Sequence, residues 1–302
     1  MNSIRVVEIE EMNLRGAYVI DGFPSIGLVG SIVANYLVTA LNLRQIAVVD
    51  SVHFPTVSMI KNGIPSSPVR IHAGEVNQEG DRMVVFVSEF QPPPHILKEL
   101  GVTVMNWVED HRCRLLISPE GIGTKQAGPS PDVPEAEPEE REEEKEAASN
   151  SVLGVASTPE AREMLKKNDI AIFEGGVIVG LSGILLNEGV NRHFDVITLL
   201  SEASPDFPDA RAAAAVTAAI NKLILDGSLD IKPLLQEAEL IEKGLKEMYD
   251  KAGKQDELRK VTVPGMYGQA RPPPGALGRP YLPRTLHPGT AAPTTSGCAG
   301  AR

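Results

Sequence analysis

Apolar residues fall along this chain in two rhythms. Compact apolar runs recur at AYVID (17–21), IAVVDS (46–51), MVVFVSEF (83–90), RLLISPEGIG (114–123), SVLGVAS (151–157), IAIFEGG (170–176) and VITLLSEA (196–203). Each predicts a strand. Between them lie stretches with apolar positions three and four apart. Leu28, Ile32, Val33, Tyr36, Leu37, Ala40 and Leu41 predict a helix over 28–42. The break QPPP precedes a second helix over 95–110. Thr158 and Pro159 open a third, with a capping hydroxyl and proline at the first helical position. GLSGILLNEG predicts a helix of small residues, and Asp209 begins an alanine-rich one, ARAAAAVTAAINKLIL. Strand, tight loop, helix and strand over 17–51 form a parallel crossover unit, because a parallel return needs a helix-length connection. TVSMI and PVRIHAG flank Asn62-Gly63, a strong turn signal that predicts a hairpin or meander.

The clearest periodicity is the last. From Asp230 to Ala252, Leu234, Ala238, Ile241, Leu245, Met248 and Ala252 alternate at spacings of four and three. That is an a/d seam. Two readings stay open: an amphipathic helix packed on its own domain, or a contact with another subunit through Leu234, Ile241, Leu245 and Met248.

Two segments break the pattern. Residues 124–150 are rich in Pro, Glu, Ala and Ser, with almost no large apolar side chain. Such a segment buries too little surface to offset its ordering entropy, so it reads as a disordered insert. Residues 269–302 contain no Asp, Glu or Lys and are dominated by Pro, Gly and Ala. This is the composition of a flexible tail, and of a reading frame extended past an original stop. The expected organisation is one α/β domain over 1–253, interrupted by the acidic insert, and a flexible tail over 254–302.

Composition narrows the function. The hydrophobic share is 42% and the aromatic share 4%, so the core is aliphatic. Net charge is −11, and −7 of it sits in 131–147. An acidic chain without clustered Lys and Arg is a poor fit to nucleic acid or to anionic membranes. No apolar run reaches the roughly 18 residues of a membrane helix, and the first residues carry no apolar signal core. Cys113 and Cys298 lie far apart, which gives no disulfide framework and suits a reducing cytoplasm.

Candidate chemistry is sparse. The loop GFPSIGLVG (22–30) lies between a strand and a helix, where many proteins hold phosphate. It lacks the Gly-Lys-Ser/Thr ending of a P-loop and the spacing of a dinucleotide loop. Gly27 and Gly30 suit close helix–strand contact, while free amides at the helix start leave an anion site as the alternative. Gly180 and Gly183 share a helix face and allow close approach in the same way. His53, His72, His95, His111, His193 and His287 show no metal-ligand spacing. Ser25 and Ser182 sit beside glycines but lack a nucleophile elbow. Asp50, Asp195 and Glu202 lie near strand ends, where α/β enzymes place catalytic groups, yet nothing converges on them in sequence. No catalytic, cofactor or metal residues are assigned. The rival reading is a nucleotide-binding or ligase-like α/β enzyme using the glycine loops at 22–30 and 174–183. VTVPGMYG (261–268) carries Met266 and Tyr267 in an extended, Pro-punctuated stretch, the form of a docking peptide.

Taken together, GFPSIGLVGSIVANYLV, VVDSVHFPTVSMIKNGIPSSPVRIHAG, FVSEFQPPP, GLSGILL and SEASPDFPDARAAAAV resemble the proteasome assembly chaperone 2 family in its archaeal form, over about residues 5–268. The resemblance implies a three-layer α/β/α sandwich with a mixed sheet, akin to nucleoside-phosphorylase-like folds. It implies a homo-oligomeric, non-catalytic chaperone without a cofactor, whose partners are proteasome α subunits or the 20S proteasome. It makes Gly22, Phe23, Pro24, Gly27, Gly30, Gly180 and Gly183 loop-shaping positions. It also gives Met266-Tyr267-Gly268 a meaning, since proteins that dock on the α-ring end in a hydrophobic residue, tyrosine and any residue. Here Gly268 is internal and has no terminal carboxylate to pair with a lysine.

Overall fold

The computed structural model describes residues 3–77, 79–123 and 151–236. The described residues all belong to one compact unit. The acidic insert, the tail, and Ile241, Leu245, Met248, Met266, Tyr267 and Gly268 lie outside them.

Strands form where apolar residues run without interruption. These are β2 (Tyr18–Gly22), β7 (Arg82–Ser88), β8 (Leu115–Gly123) and β11 (Val196–Ala203), each buried along most of its length. A strand covered on both faces needs no polar side, so its sequence reads as a continuous apolar run. These four lie side by side and parallel at the centre of a sheet that has nine strands among the described residues. Toward one edge the pairing becomes antiparallel through β6 (Val69–Glu75), β3 (Arg44–Ser51) and β1 (Ile4–Glu8). There burial alternates along β6, as one face opens to solvent. Toward the other edge lie β9 (Val152–Ala156), antiparallel to β11, and β10 (Ala171–Ile172). The sheet order is β1-β3-β6-β7-β2-β8-β11-β9-β10.

Successive side chains on one strand face opposite sides of the sheet. Ile20 and Ile117 enter one core, with Val33 and Leu37 of α1 (Val29–Ala40), Leu165 of α3 (Pro159–Lys167) and Ile220 of α5 (Ala210–Ile224). Their neighbours Val19 and Leu116 enter the other, with Leu100 and Met105 of α2 (Leu97–Asp110) and Leu185 of α4 (Leu181–Arg192). The result is a mixed sheet between two helix layers, as expected. Trp107 meets Phe86 edge-on at 5.5 Å, and its other face stacks on His111. Among the described residues, no helix is long and apolar enough to cross a membrane.

Local signals hold. The Thr158 hydroxyl accepts the Ala161 amide at 3.1 Å and the Asp209 carboxylate accepts the Ala212 amide at 2.9 Å, so both helices start where caps predicted. Asn62 and Gly63 both take positive φ, 53° and 77°, as a two-residue primed turn requires. That turn joins β4 (Met59–Lys61) to β5 (Ile64–Ser66), a separate small hairpin.

Three details differ. The strand expected over 170–176 shrinks to Ala171–Ile172, because Gly175 and Gly176 turn the chain away. The strand Ile4–Glu8 was not foreseen. The crossover over 17–51 does return a parallel strand, yet β3 does not lie beside β2: β7 and β6 are inserted between them.

Candidate functional site

The strand order creates one distinctive place. The chain leaving β2 crosses through α1 toward β3 on one side, while the strand that follows β8 in sequence, β9, lies on the other side, beyond β11. Adjacent parallel strands whose connections diverge leave a crevice at their carboxyl ends, where open α/β sheets hold ligands. A cleft of about 260 Å³ lies there. Both glycine loops border it, through Phe23, Pro24, Ser25 and Ile26 on one side and residues 179–182 on the other. Pro92 and Leu97 complete an apolar wall.

Asp21 of β2 and Glu120 of β8 both line it. The Ser118 hydroxyl donates to the Asp21 carboxyl at 3.0 Å, and the Phe23 amide donates at 3.2 Å. Ser182, at the start of α4, donates its hydroxyl to Glu120. Burial pushes the Asp21 carboxyl up to about 6, against the pull of the Phe23 amide and the Ser118 hydroxyl. Burial pushes Glu120 up to about 7; the hydroxyls of Ser182 and Ser25 and the Ile26 amide oppose this, and the charge of Asp21 adds to it. Two carboxyls therefore sit in one cleft with pKa values near neutrality and only neutral donors around them.

The loops fix this site by backbone contact. A Cβ on Gly22 would lie 2.2 Å from the Phe86 carbonyl oxygen, and one on Gly30 would lie 2.4 Å from that of Phe23. Gly27 takes φ +62°, and its carbonyl accepts the Asp209 amide at 2.8 Å. The Gly30 amide, one of those that could have met an anion, donates to the Ser25 hydroxyl at 3.1 Å. Gly183 packs on the Ile178 carbonyl, and Gly180 has φ +84° with open space beside it.

The other sequence candidates lie apart from the cleft. Asp50 pairs with Arg5 on the surface at 2.8 Å, and Asp195 accepts the Thr158 hydroxyl. Glu202 borders an apolar pocket with Phe173 and Val177. His53 and His95 meet edge-on, and His111 bonds Trp107 and Glu8. Among the described residues, no group of three or more His, Cys, Asp or Glu could hold a metal. Leu234 is 1% exposed within its own chain. Ser25 and Ser182 come together at Glu120, a meeting that their positions, far apart in sequence, did not announce. Asp21 and Glu120 were missed. Their signal was present: an acid inside an otherwise buried strand, in YVIDG and LLISPEGIG.

Comparisons with known proteins agree with this architecture. The model of the PAC2 family matches residues 19–249. An uncharacterized protein of Methanocaldococcus jannaschii is 30% identical over 248 residues, covering 82% of this chain and 92% of that one. The crystal structure of Pyrococcus furiosus PbaA, an archaeal homolog of proteasome-assembly chaperone, is 28% identical, with a TM-score of 0.66 over 86% of this chain and 97% of that one. Pyrococcus furiosus PbaB, an archaeal proteasome activator, shares the fold, with a TM-score of 0.65 at 24% identity over 82% of this chain and 100% of that one. The chain belongs to the PAC2 family.

Proposed function

We propose that this PAC2-family chain is a non-catalytic chaperone that binds proteasome subunits and assists assembly of the 20S particle. The observation that carries the reading is the 28% identity to Pyrococcus furiosus PbaA over nearly the whole of that chain, together with the family match. Its partners are proteasome α subunits or the 20S particle, and it works in the cytoplasm as a homo-oligomer. The contact residues are Met266, Tyr267 and Gly268, aided by the seam Ile241, Leu245 and Met248; Leu234, the first seam position, is buried in its own chain and serves the packing instead. The acidic balance of the chain agrees with a protein partner rather than nucleic acid or membrane.

The test is capture of 20S proteasome and free α subunits by two forms, the full chain and a form ending at Gly268. Binding by the shortened form alone identifies Met266-Tyr267-Gly268 as a terminal docking motif. Equal binding by both moves the contact to the folded body. Binding by neither removes the chaperone reading.

One observation favours a second reading, a small-molecule site. The two glycine loops and two near-neutral carboxyls meet at the crevice where α/β enzymes bind ligands. A nucleotide panel in a thermal-shift assay separates the two. Saturable stabilisation lost in Ser182→Ala would favour the second.

A further inference from the structure

We propose that the cleft between the carboxyl ends of β2 and β8 is a binding site for a primary alkylammonium group. The inference stands on the cleft alone and does not depend on the proteasome reading.

The first ground is an unbalanced pair of acids. Asp21 and Glu120 are the titratable residues that line the cleft, and no Lys, Arg or His lines it from β2, β8, α2, α4 or the loops 23–26 and 179–182. Asp21 is 5% exposed. The groups that meet the two carboxyls are hydroxyls of Ser25, Ser118 and Ser182 and amides of Phe23 and Ile26. All are neutral. A buried carboxylate without a counter-charge is costly, so the pair either retains a proton or takes a cation from outside. Each carboxylate has about four lone-pair sites, which leaves acceptors for an ammonium with three N–H donors.

The second ground is the wall. Beside the acids the lining is mostly apolar, with Phe23, Pro24, Pro92, Leu97 and Leu181, and includes the neutral amide of Gln91. An acidic pair beside an apolar lining matches a cation carried on methylenes, which buries its stem and presents its head. The volume, about 260 Å³, is below the roughly 300–1,000 Å³ of sites for drug-sized ligands. It suits a group the size of one side chain. The loops that hold this shape are locked by the Gly22 and Gly30 contacts, so the cavity is preformed.

Entry of one ammonium compensates one carboxylate, releasing one proton where both carboxyls were protonated, while the other carboxyl can keep its own. The ligand ammonium stays charged, with a pKa of about 10.4 for a lysine-like amine. Binding is therefore weaker below pH 6, where both acids are mostly protonated, and strengthens as pH rises through about 6 and 7.

The test is calorimetric titration of the full chain with n-butylamine at pH 5.5 and pH 8, beside n-butyltrimethylammonium and sodium butyrate. The expected result is saturable n-butylamine binding, about tenfold tighter at pH 8, at least tenfold weaker for the trimethylated probe, and none for butyrate. Glu120→Gln, checked for folding by circular dichroism, should lose most of the affinity. Nα-acetyl-lysine methylamide and 1,5-diaminopentane distinguish the source. Equal affinity for the blocked lysine assigns the site to a protein side chain, and a tenfold preference for the diamine assigns it to a free amine. No saturable binding of n-butylamine, equal binding of the trimethylated probe, or an affinity flat with pH overturns the proposal. The wild-type arms decide this even if the variant fails to fold.

Discussion

The carboxyl end of the central strands and the β4–β5 hairpin handle polarity in opposite ways. At the strand ends, acids and hydroxyls are buried and backbone meets backbone through glycines. At the hairpin, Ile60 and Ile64 are 65% and 68% exposed, and nearby Val52 is 85% exposed. The first region is held at several points: the Phe23 and Gly30 amides and the Gly27 carbonyl are all hydrogen-bonded. The second is held by one short ladder and its turn. Burial and chemistry are therefore separable in this chain. The carboxyls with unusual electrostatics line a cleft at buried strand ends, while Ile60 and Ile64 of the hairpin face water.

Glycine substitution gives the largest expected difference between the regions. Gly30→Ala puts a methyl 2.4 Å from the Phe23 carbonyl and 3.1 Å from that of Pro119, both rigid backbone. The expected loss is about 3 kcal/mol or more, read as a fall in Tm of roughly 6–12 °C or as insoluble protein. Gly63→Ala, at the hairpin turn, meets nothing within 4 Å but keeps φ +77°. It should cost only the left-handed penalty, about 1–2 kcal/mol. Equal Tm values for the two variants would break the contrast.

How much of this was legible in sequence follows the same division. Strands with continuous apolar runs, the caps at Thr158 and Asp209, and the Asn62-Gly63 turn were readable because the cause lies within a few residues. The strand Ile4–Glu8 was not: in IRVVE the charges of Arg5 and Glu8 interrupt the run and it pairs at an edge, so its apolar signal is short. Strand order was not readable either, because the insertion of β6 and β7 between β2 and β3 is a tertiary choice that no local pattern records. The cleft was half legible. Its glycine loops stood out, but Asp21 and Glu120 are single acids 99 positions apart, joined only by the pairing of β2 with β8.

The carboxyl pair gives the next prediction. Both acids hold folded pKa values, about 6 and about 7, above their ordinary 3.8 and 4.5. The folded state keeps protons that the unfolded state has lost, so this contribution to stability is full below about pH 4. It is lost as pH rises through about 6 and 7. For Glu120 the difference is on the order of 3 kcal/mol. Denaturant unfolding at pH 5 and pH 8 should show the wild type weaker at pH 8, and Glu120→Gln should flatten that slope. A slope as steep in the variant would mean that Glu120 is solvated and contributes nothing to the pH dependence.

The smallest effect belongs to the exposed hairpin. Replacing Ile60 and Ile64 together by Ser removes apolar surface that already faces water, so stability should change by no more than about 0.5 kcal/mol per site. Circular dichroism and Tm should match the wild type. A loss of several kcal/mol would show that these side chains are covered, for example by another copy of the chain, and that the looseness of this region ends on assembly. Unchanged stability with weakened capture of α subunits would place a partner contact here. The contrast would then sharpen into a division of labour, with the tight end of the sheet recognising charge and the loose hairpin offering apolar contact.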